Sequence, residues 1–348
     1  MSWAQSLWKQ YDPINRIMFP AQGRAASYDV KGKPFVGELQ VRDVVYKTIV
    51  VHMPVHVPGG MCAPPVRIDV PCMIVLRADL GTVDPNTRRK SNRCRARCTV
   101  VYLHGNGTDI GGVAEEAKAL SRDLECHVVV PEYPGYGLAG GSANEDSVDA
   151  ATHAGCRVAT ECLGTPLERL IVYGRSVGTG PAAAAAARMS ARNKPPCALV
   201  LHSPYTSIRD YATEKAGAAL GALLVSERWP TKRNLARVRC PILLIHGDRD
   251  EVIPFRHSAR LKRESKGYKA PCHLHVQKGG AHNDFDFFGD VLDPLAMFLR
   301  RHERGPWTRG GGEAPEMGLD LRDISSRVAA AGPGDVDEYP FASADKEN

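Results

Sequence analysis

Three side chains far apart in this 348-residue chain have the types that acyl transfer needs: a serine, a carboxylate and a histidine. The serine is Ser176, within Gly174-Arg175-Ser176-Val177-Gly178. A serine hydroxyl is a weak nucleophile until a base takes its proton. It must also project from a sharp strand-to-helix turn, and small residues on either side let strand and helix approach closely. Leu170–Tyr173 reads as a strand before it, and the alanine-rich run 180–189 as a helix after it. The turn places Ser176 at a helix N-terminus, where the dipole favours developing negative charge.

The order nucleophile, acid, histidine says where the partners belong. After the apolar run 241–245 comes His246-Gly247-Asp248-Arg249-Asp250-Glu251. Asp250 is the candidate acid and Asp248 the alternative. The base is His282, in the loop Gly279-Gly280-Ala281-His282-Asn283-Asp284; Asp284 is too close to it in sequence for the usual geometry. Acyl transfer also builds an oxyanion, and each backbone N–H that meets it is worth roughly 3–4 kcal/mol. The expected donors are Val177 and Asn106, the latter in Leu103-His104-Gly105-Asn106-Gly107, where His104 is read as a brace. Tyr136, Tyr205 and Leu223 are candidates for a substrate pocket. His273 and His275 alternate on one strand without a further ligand at metal spacing, so neither metal nor cofactor is expected.

These residues need a frame to bring them together. Val-rich runs at 39–53 and 66–76 come first. Short apolar strands then alternate with helical periods: strands at 98–103, 127–130, 170–173, 198–201, 241–245 and 272–276, helices at 113–124, 145–162, 180–189, 255–264 and 294–301. Continuous apolar strands separated by helices imply an α/β fold with a mostly parallel sheet covered on both faces. In such sheets chemistry collects at the carboxyl ends of the strands. The expected organisation is an N-terminal extension over 1–36, a catalytic domain over 37–304 and a largely disordered tail over 305–348, with a short docked helix near 319–328 as the alternative for part of the tail. Within the domain, 81–97 is a basic loop and 204–240 a short lid region whose residues 218–224 could line an acyl groove.

Composition limits the alternatives. Hydrophobic residues make up 43% and charged residues 24%, which excludes a collagen, a coiled coil and a wholly disordered chain. Ten scattered cysteines do not make a disulfide scaffold. The start, Met1-Ser2-Trp3-Ala4-Gln5, lacks the apolar core of a signal peptide, and no run reaches the length of a membrane span. An intracellular, cytoplasmic protein is expected. Its net charge of +6 is uneven: nine acidic and four basic residues put −5 on 305–348, leaving +11 on the rest. Six of the ten residues from Arg88 to Arg97 are basic. That stretch is read as a solvated loop, with contact to anionic lipid headgroups as the sharper alternative. Nucleic acid is not expected, because no aromatic interleaving accompanies the charge. Trp3, Leu7, Trp8, Tyr11 and Ile14 either pack on the domain or form an interfacial segment.

The stretches LHGNG, EYPGYG, YGRSVGTGP, LHSP, PILLIHGDRDEVIP and GGAHND resemble the α/β-hydrolase fold over roughly 13–301. Within that superfamily the chain most resembles the protein depalmitoylases among the α/β-hydrolase-domain-containing proteins. The resemblance implies hydrolysis of palmitoyl thioesters on membrane-bound proteins by Ser176, Asp250 and His282; N-terminal antiparallel strands are expected with it, and the shortness of 204–240 points to a small or absent cap. It departs in two respects: the cysteine cluster that anchors those enzymes near their N-terminus has no counterpart before Cys62, and the basic loop is longer than expected for the group. A lipid esterase or monoacylglycerol lipase, a serine peptidase and a non-catalytic scaffold are the competing expectations.

Overall fold

The computed structural model describes residues 18–33, 36–41, 44–57, 65–77, 93–94, 96–216, 227–302 and 319–332. The strands in chain order are β1 (Tyr28–Lys33), β2 (Val36–Val41), β3 (Val44–Val57), β4 (Val66–Val75), β5 (Arg93–Cys94), β6 (Thr99–Leu103), β7 (His127–Pro131), β8 (Leu170–Arg175), β9 (Ala198–His202), β10 (Ile242–Gly247), β11 (Cys272–Gln277) and β12 (Leu319–Asp320). The helices are α1 (Ala114–Asp123), α2 (Glu145–Arg157), α3 (Thr179–Ala191), α4 (Ile208–Ala216), α5 (Thr231–Arg237), α6 (Arg256–Glu264), α7 (Asp293–Arg301) and α8 (Leu321–Ala330).

One ten-stranded sheet runs β1-β2-β3-β4-β7-β6-β8-β9-β10-β11. Its first four strands form an antiparallel meander that joins β7 antiparallel, and the pairs from β7 to β11 are parallel. The apolar run expected as one strand at 39–53 is split, with β2 and β3 pairing Val41 against Val44. Period-2 alternation sorts the sheet's side chains into two cores. Val101, Leu103 and Val172 lie in one with α2 and α3; Val100, Tyr102 and Tyr173 lie in the other with α1 and α7. Alanines let α3 sit close against the sheet, and Ala182 to Ala187 are all buried. Asn144 and Ser147 close a reciprocal capping box at the start of α2, satisfying backbone N–H groups that would otherwise lack partners.

Two boundaries differ from expectation. The sheet begins at Tyr28, ahead of 37, and Phe19 is 1% exposed, edge-on to both Tyr136 and Trp229. Residues 18–33 are therefore part of the domain. Helix α8 lies within the segment expected to be largely disordered. It buries Ile324 and Val328 in the α2–α3 core, while β12 pairs with β5. The lid region carries α4 and α5, neither of which stood out by periodicity. Residues 218–224, the N-terminal 1–17 and the stretch 88–92 lie outside the described residues. Arg97, at the end of the basic stretch, is ion-paired to Glu125 at 2.9 Å. Among the described residues no helix is long and apolar enough to cross a membrane.

Arg157 fastens α8 to the domain. Its guanidinium forks onto Glu161 at 2.8 Å on both oxygens and donates to the carbonyls of Pro54 (3.3 Å), Gly332 (3.1 Å) and Ala331. Charged hydrogen bonds of this kind are worth about 1.5–3 kcal/mol each. Arg157→Met is expected to lower stability in urea unfolding by about 2–4 kcal/mol and to raise hydrogen exchange first in α8. Unchanged protection of α8 would show that Ile324 and Val328 suffice to hold it.

Candidate active site

The turn after β8 is built around a strained residue. Ser176 has φ 53°, in the left-handed region that costs a non-glycine residue roughly 1–3 kcal/mol. The neighbours make room for it. A Cβ on Gly178 would collide with the Leu103 carbonyl at the end of β6, and one on Gly174 with the backbone of Gly178. Thr179 Oγ1 donates to the Ser176 carbonyl at 2.6 Å and Tyr205 Oη to the Val177 carbonyl at 3.1 Å, so the turn is braced from two directions.

The parallel strands all present their carboxyl ends at the same rim, where Ser176 meets the loops after β10 and β11. His282 Nε2 lies 3.1 Å from Ser176 Oγ, and His282 Nδ1 lies 2.8 Å from Asp250 Oδ2. Asp250 and His282 are each 7% exposed. Asp250 Oδ1 accepts from the backbone N–H groups of Val252 (2.9 Å) and Ile253 (2.7 Å). Burial alone would raise the Asp250 carboxyl. Hydrogen bonds from His246 and His282, the charge on His282 and the Ile253 N–H outweigh it and hold the group far below the usual carboxylate range.

Of the two other carboxylates considered for this place, Asp248 is engaged elsewhere: its Oδ1 accepts from Gly279 N–H at 2.8 Å. Asp284 closes the loop through its main chain, its carbonyl accepting from Ala281 N–H at 2.9 Å. The loop after β6 lies beside the serine: a Cβ on Gly105 would stand 3.7 Å from Ser176 Cβ. Tyr136 Oη donates to Asn106, reaching its side-chain oxygen at 2.6 Å, and thereby holds that loop. His104 is fully buried, stacked on Tyr133 with ring centroids 4.1 Å apart, and Tyr133 Oη donates to its carbonyl at 2.9 Å.

Of the three expected pocket residues, Tyr136 lines a small cleft beside the loop after β6, together with Ala21, Arg24, Ser27 and Thr108. Tyr205 does not form a pocket wall: it is 2% exposed and its hydroxyl is spent on Val177, beneath the turn. Leu223 lies outside the described residues. Among the described residues no three His, Cys, Asp or Glu side chains are grouped to hold a metal.

Three residues at this rim had no sequence expectation. Arg175 donates to the His282 carbonyl (3.2 Å) and to Asn283 Oδ1 (3.0 Å), and lies over the Phe285 ring. Glu251 Oε2 accepts from the His282 N–H at 3.2 Å. His246, fully buried at the end of β10, places Nε2 3.2 Å from Asp250 Oδ2. The available signals were weak: a cation beside the serine, an acid next to the candidate acid, and a histidine four positions before it.

A model of the alpha/beta hydrolase fold family matches residues 100–252. Alpha/beta hydrolase domain-containing protein 17B of Homo sapiens is 30% identical over 212 residues, covering 60% of this chain and 68% of that protein. Alpha/beta hydrolase domain-containing protein aho-3 of Caenorhabditis elegans is 29% identical over 228 residues, covering 62% and 65%. The chain therefore spans about two thirds of the length of these relatives. Among solved structures, an alpha-beta hydrolase from Vibrio vulnificus superposes with a TM-score of 0.53 at 15% identity, covering 72% of this chain and 80% of that one. The Pyrococcus furiosus esterase Pf2001 gives 0.52 at 16%, covering 72% and 90%. At such identities the structural likeness is one of fold.

The depressed Asp250 carboxyl has a consequence for stability. Its folded pKa lies below the unfolded value of about 3.9, so the ionised group stabilises the fold above that pH and the contribution is lost as pH falls below it. Asp250→Asn lacks this contribution. The wild-type-minus-variant stability, measured by urea unfolding, is expected to be largest near neutrality and to shrink from about pH 4 downward. A difference independent of pH would mean that the group's ionisation does not stabilise the fold.

Proposed function

The chain belongs to the α/β-hydrolase family, and from that premise we propose that it is a serine hydrolase cleaving acyl esters or thioesters through an acyl-enzyme on Ser176. The observation that carries this reading is the unbroken contact chain from Ser176 Oγ through His282 to Asp250, at 3.1 and 2.8 Å. His282 Nε2 takes the serine proton as Oγ attacks the acyl carbon, while Asp250 fixes the tautomer through Nδ1–H and stabilises the imidazolium. The backbone N–H groups of Val177 and Asn106 receive the oxyanion. The bond to the leaving oxygen or sulfur breaks as His282 returns the proton to it. Water, deprotonated by His282, then attacks the acyl-enzyme and releases the acid.

The finer reading is a protein depalmitoylase: the substrate is a palmitoyl thioester on a protein, met at an anionic membrane surface. Its support is the motif-by-motif resemblance to the depalmitoylases, together with a lid region, 204–240, too short for a large cap. The basic stretch 88–97 supports the membrane contact by its charge.

A fluorophosphonate probe is expected to label the wild-type protein and not Ser176→Ala, and hydrolysis of a palmitoylated peptide to fall at least about 10⁴-fold in that variant. Labelling that survives Ser176→Ala would remove Ser176 as the nucleophile. Faster release of palmitate from monoacylglycerol than from the peptide would move the assignment to a lipid esterase.

A further inference from the structure

His246 is a buried histidine that the mechanism above does not use, yet it shares an oxygen with one that it does. Both Asp250 Oδ2 contacts come from imidazoles: His282 Nδ1 at 2.8 Å and His246 Nε2 at 3.2 Å. The His246 ring is locked at both ends. Nε2 lies 2.8 Å from the Ile253 carbonyl, which can only accept, so Nε2 carries a hydrogen. In the neutral ring Nδ1 is then the acceptor, and Ser258 Oγ, at 2.7 Å, donates to it. That N–H faces both the Ile253 oxygen and Asp250 Oδ2. With Val252 and Ile253 on Oδ1, Asp250 is met by four N–H groups, and a carboxylate so surrounded has no room for a proton of its own.

We propose that His246 is a positioning residue for the Ser176–His282 pair: through its Nε2–H it holds Asp250 ionised and aimed, and takes up part of the negative charge that would otherwise act on His282 alone. This rests on the serine-hydrolase reading above. Loss of the His246 donor concentrates the carboxylate charge on His282, which raises the pH at which that imidazole loses its proton. The other groups facing this cluster are Arg175 on β8, His202 at the end of β9, Tyr211 on α4, His257 on α6, and Glu251 in the acid loop, whose carbonyl accepts from Lys215. None of them removes the His246 contact, so a change at His246 reads out on Asp250 and His282.

The test compares His246→Leu, which has no donor, with His246→Gln, whose amide N–H can take the place of Nε2–H. The acid limb of kcat/KM for a p-nitrophenyl ester is expected to move up by about one pH unit in His246→Leu, with kcat at the plateau down about tenfold and KM unchanged. His246→Gln is expected to recover most of both. Low-field proton NMR of the His282 Nδ1–H···Asp250 hydrogen bond supplies a readout independent of turnover, and its titration should move in the same direction. If His246→Leu does not fold, Ser258→Ala, which frees the His246 ring, should give a smaller displacement of the same sign. Folded variants that keep the wild-type acid limb and the wild-type resonance would overturn the proposal. A shifted resonance in a protein that fluorophosphonate does not label would instead overturn the hydrolase reading while sustaining the role of His246.

Discussion

The site depends on a backbone constraint before it depends on any catalytic group. Ser176 occupies a left-handed conformation, and a non-glycine residue remains there only where its surroundings leave it no alternative. Here the surroundings are the β6–β8 pairing, which aligns Leu103 with Gly174, and the absence of a side chain at Gly174 and Gly178. The close approach of β6, β8 and α3 forces the turn, and the turn lifts Oγ clear of the sheet. A methyl group at either glycine would separate those elements and relax the serine. Its effect would be felt as misplacement of the nucleophile even though no reacting atom had changed.

Once the serine is fixed, the sheet sets the other distances. β8, β9, β10 and β11 are consecutive neighbours in parallel register, so the loops that follow them emerge at one level. The histidine must then cross from the β11 loop to the end of β8, and it is anchored as it does so. Arg175, the residue before Ser176, donates to the His282 carbonyl, while Glu251, the residue after Asp250, accepts from the His282 N–H. The neighbours of Ser176 and Asp250 thus hold the backbone of His282. This arrangement places the imidazole by its main chain as well as by the hydrogen bond to Asp250, and it explains why the loop can be glycine-rich without being loosely held.

The parts legible in sequence were those whose signal is local. The G-x-S-x-G turn between an apolar run and an alanine run located β8, Ser176 and α3, and the order of acid and histidine pointed to the two loops that the structure brings to Ser176. Asp250 over Asp248 followed from position, and the structure gives the physical reason: Asp250 lies against the ring of His282 while Asp248 closes the turn to Gly279. What escaped was carried by contacts distant in the chain. Helix α8 buries just Ile324 and Val328 among its described apolar side chains and leans on Arg157, so its helical periodicity is faint. Phe19, in the apolar run Ile17-Met18-Phe19, does not show its partners until Tyr136 and Trp229 are folded around it. Tyr205 follows a strand at the catalytic rim, which suggested a pocket wall, but its hydroxyl is directed under the serine turn.

Charge balance at the rim accounts for the depth at which the acid is held. Arg175, 3.9 Å from Glu116, brings a permanent cation beside Ser176. Such a cation favours the oxyanion but opposes an imidazolium on the neighbouring His282. His202, beneath the same site, is kept neutral by burial and then by the positive field of Arg175 and the other histidines, so it adds no further opposition. In the proposed mechanism, the imidazolium formed at the moment of attack therefore relies on Asp250 for its counter-charge. A carboxylate that took up a proton, or swung toward solvent, would leave that imidazolium without its hydrogen-bonded counter-ion. The ring of N–H donors that keeps Asp250 ionised is thus the counterpart of the cation that steadies the histidine loop, and neither device would serve the chemistry without the other.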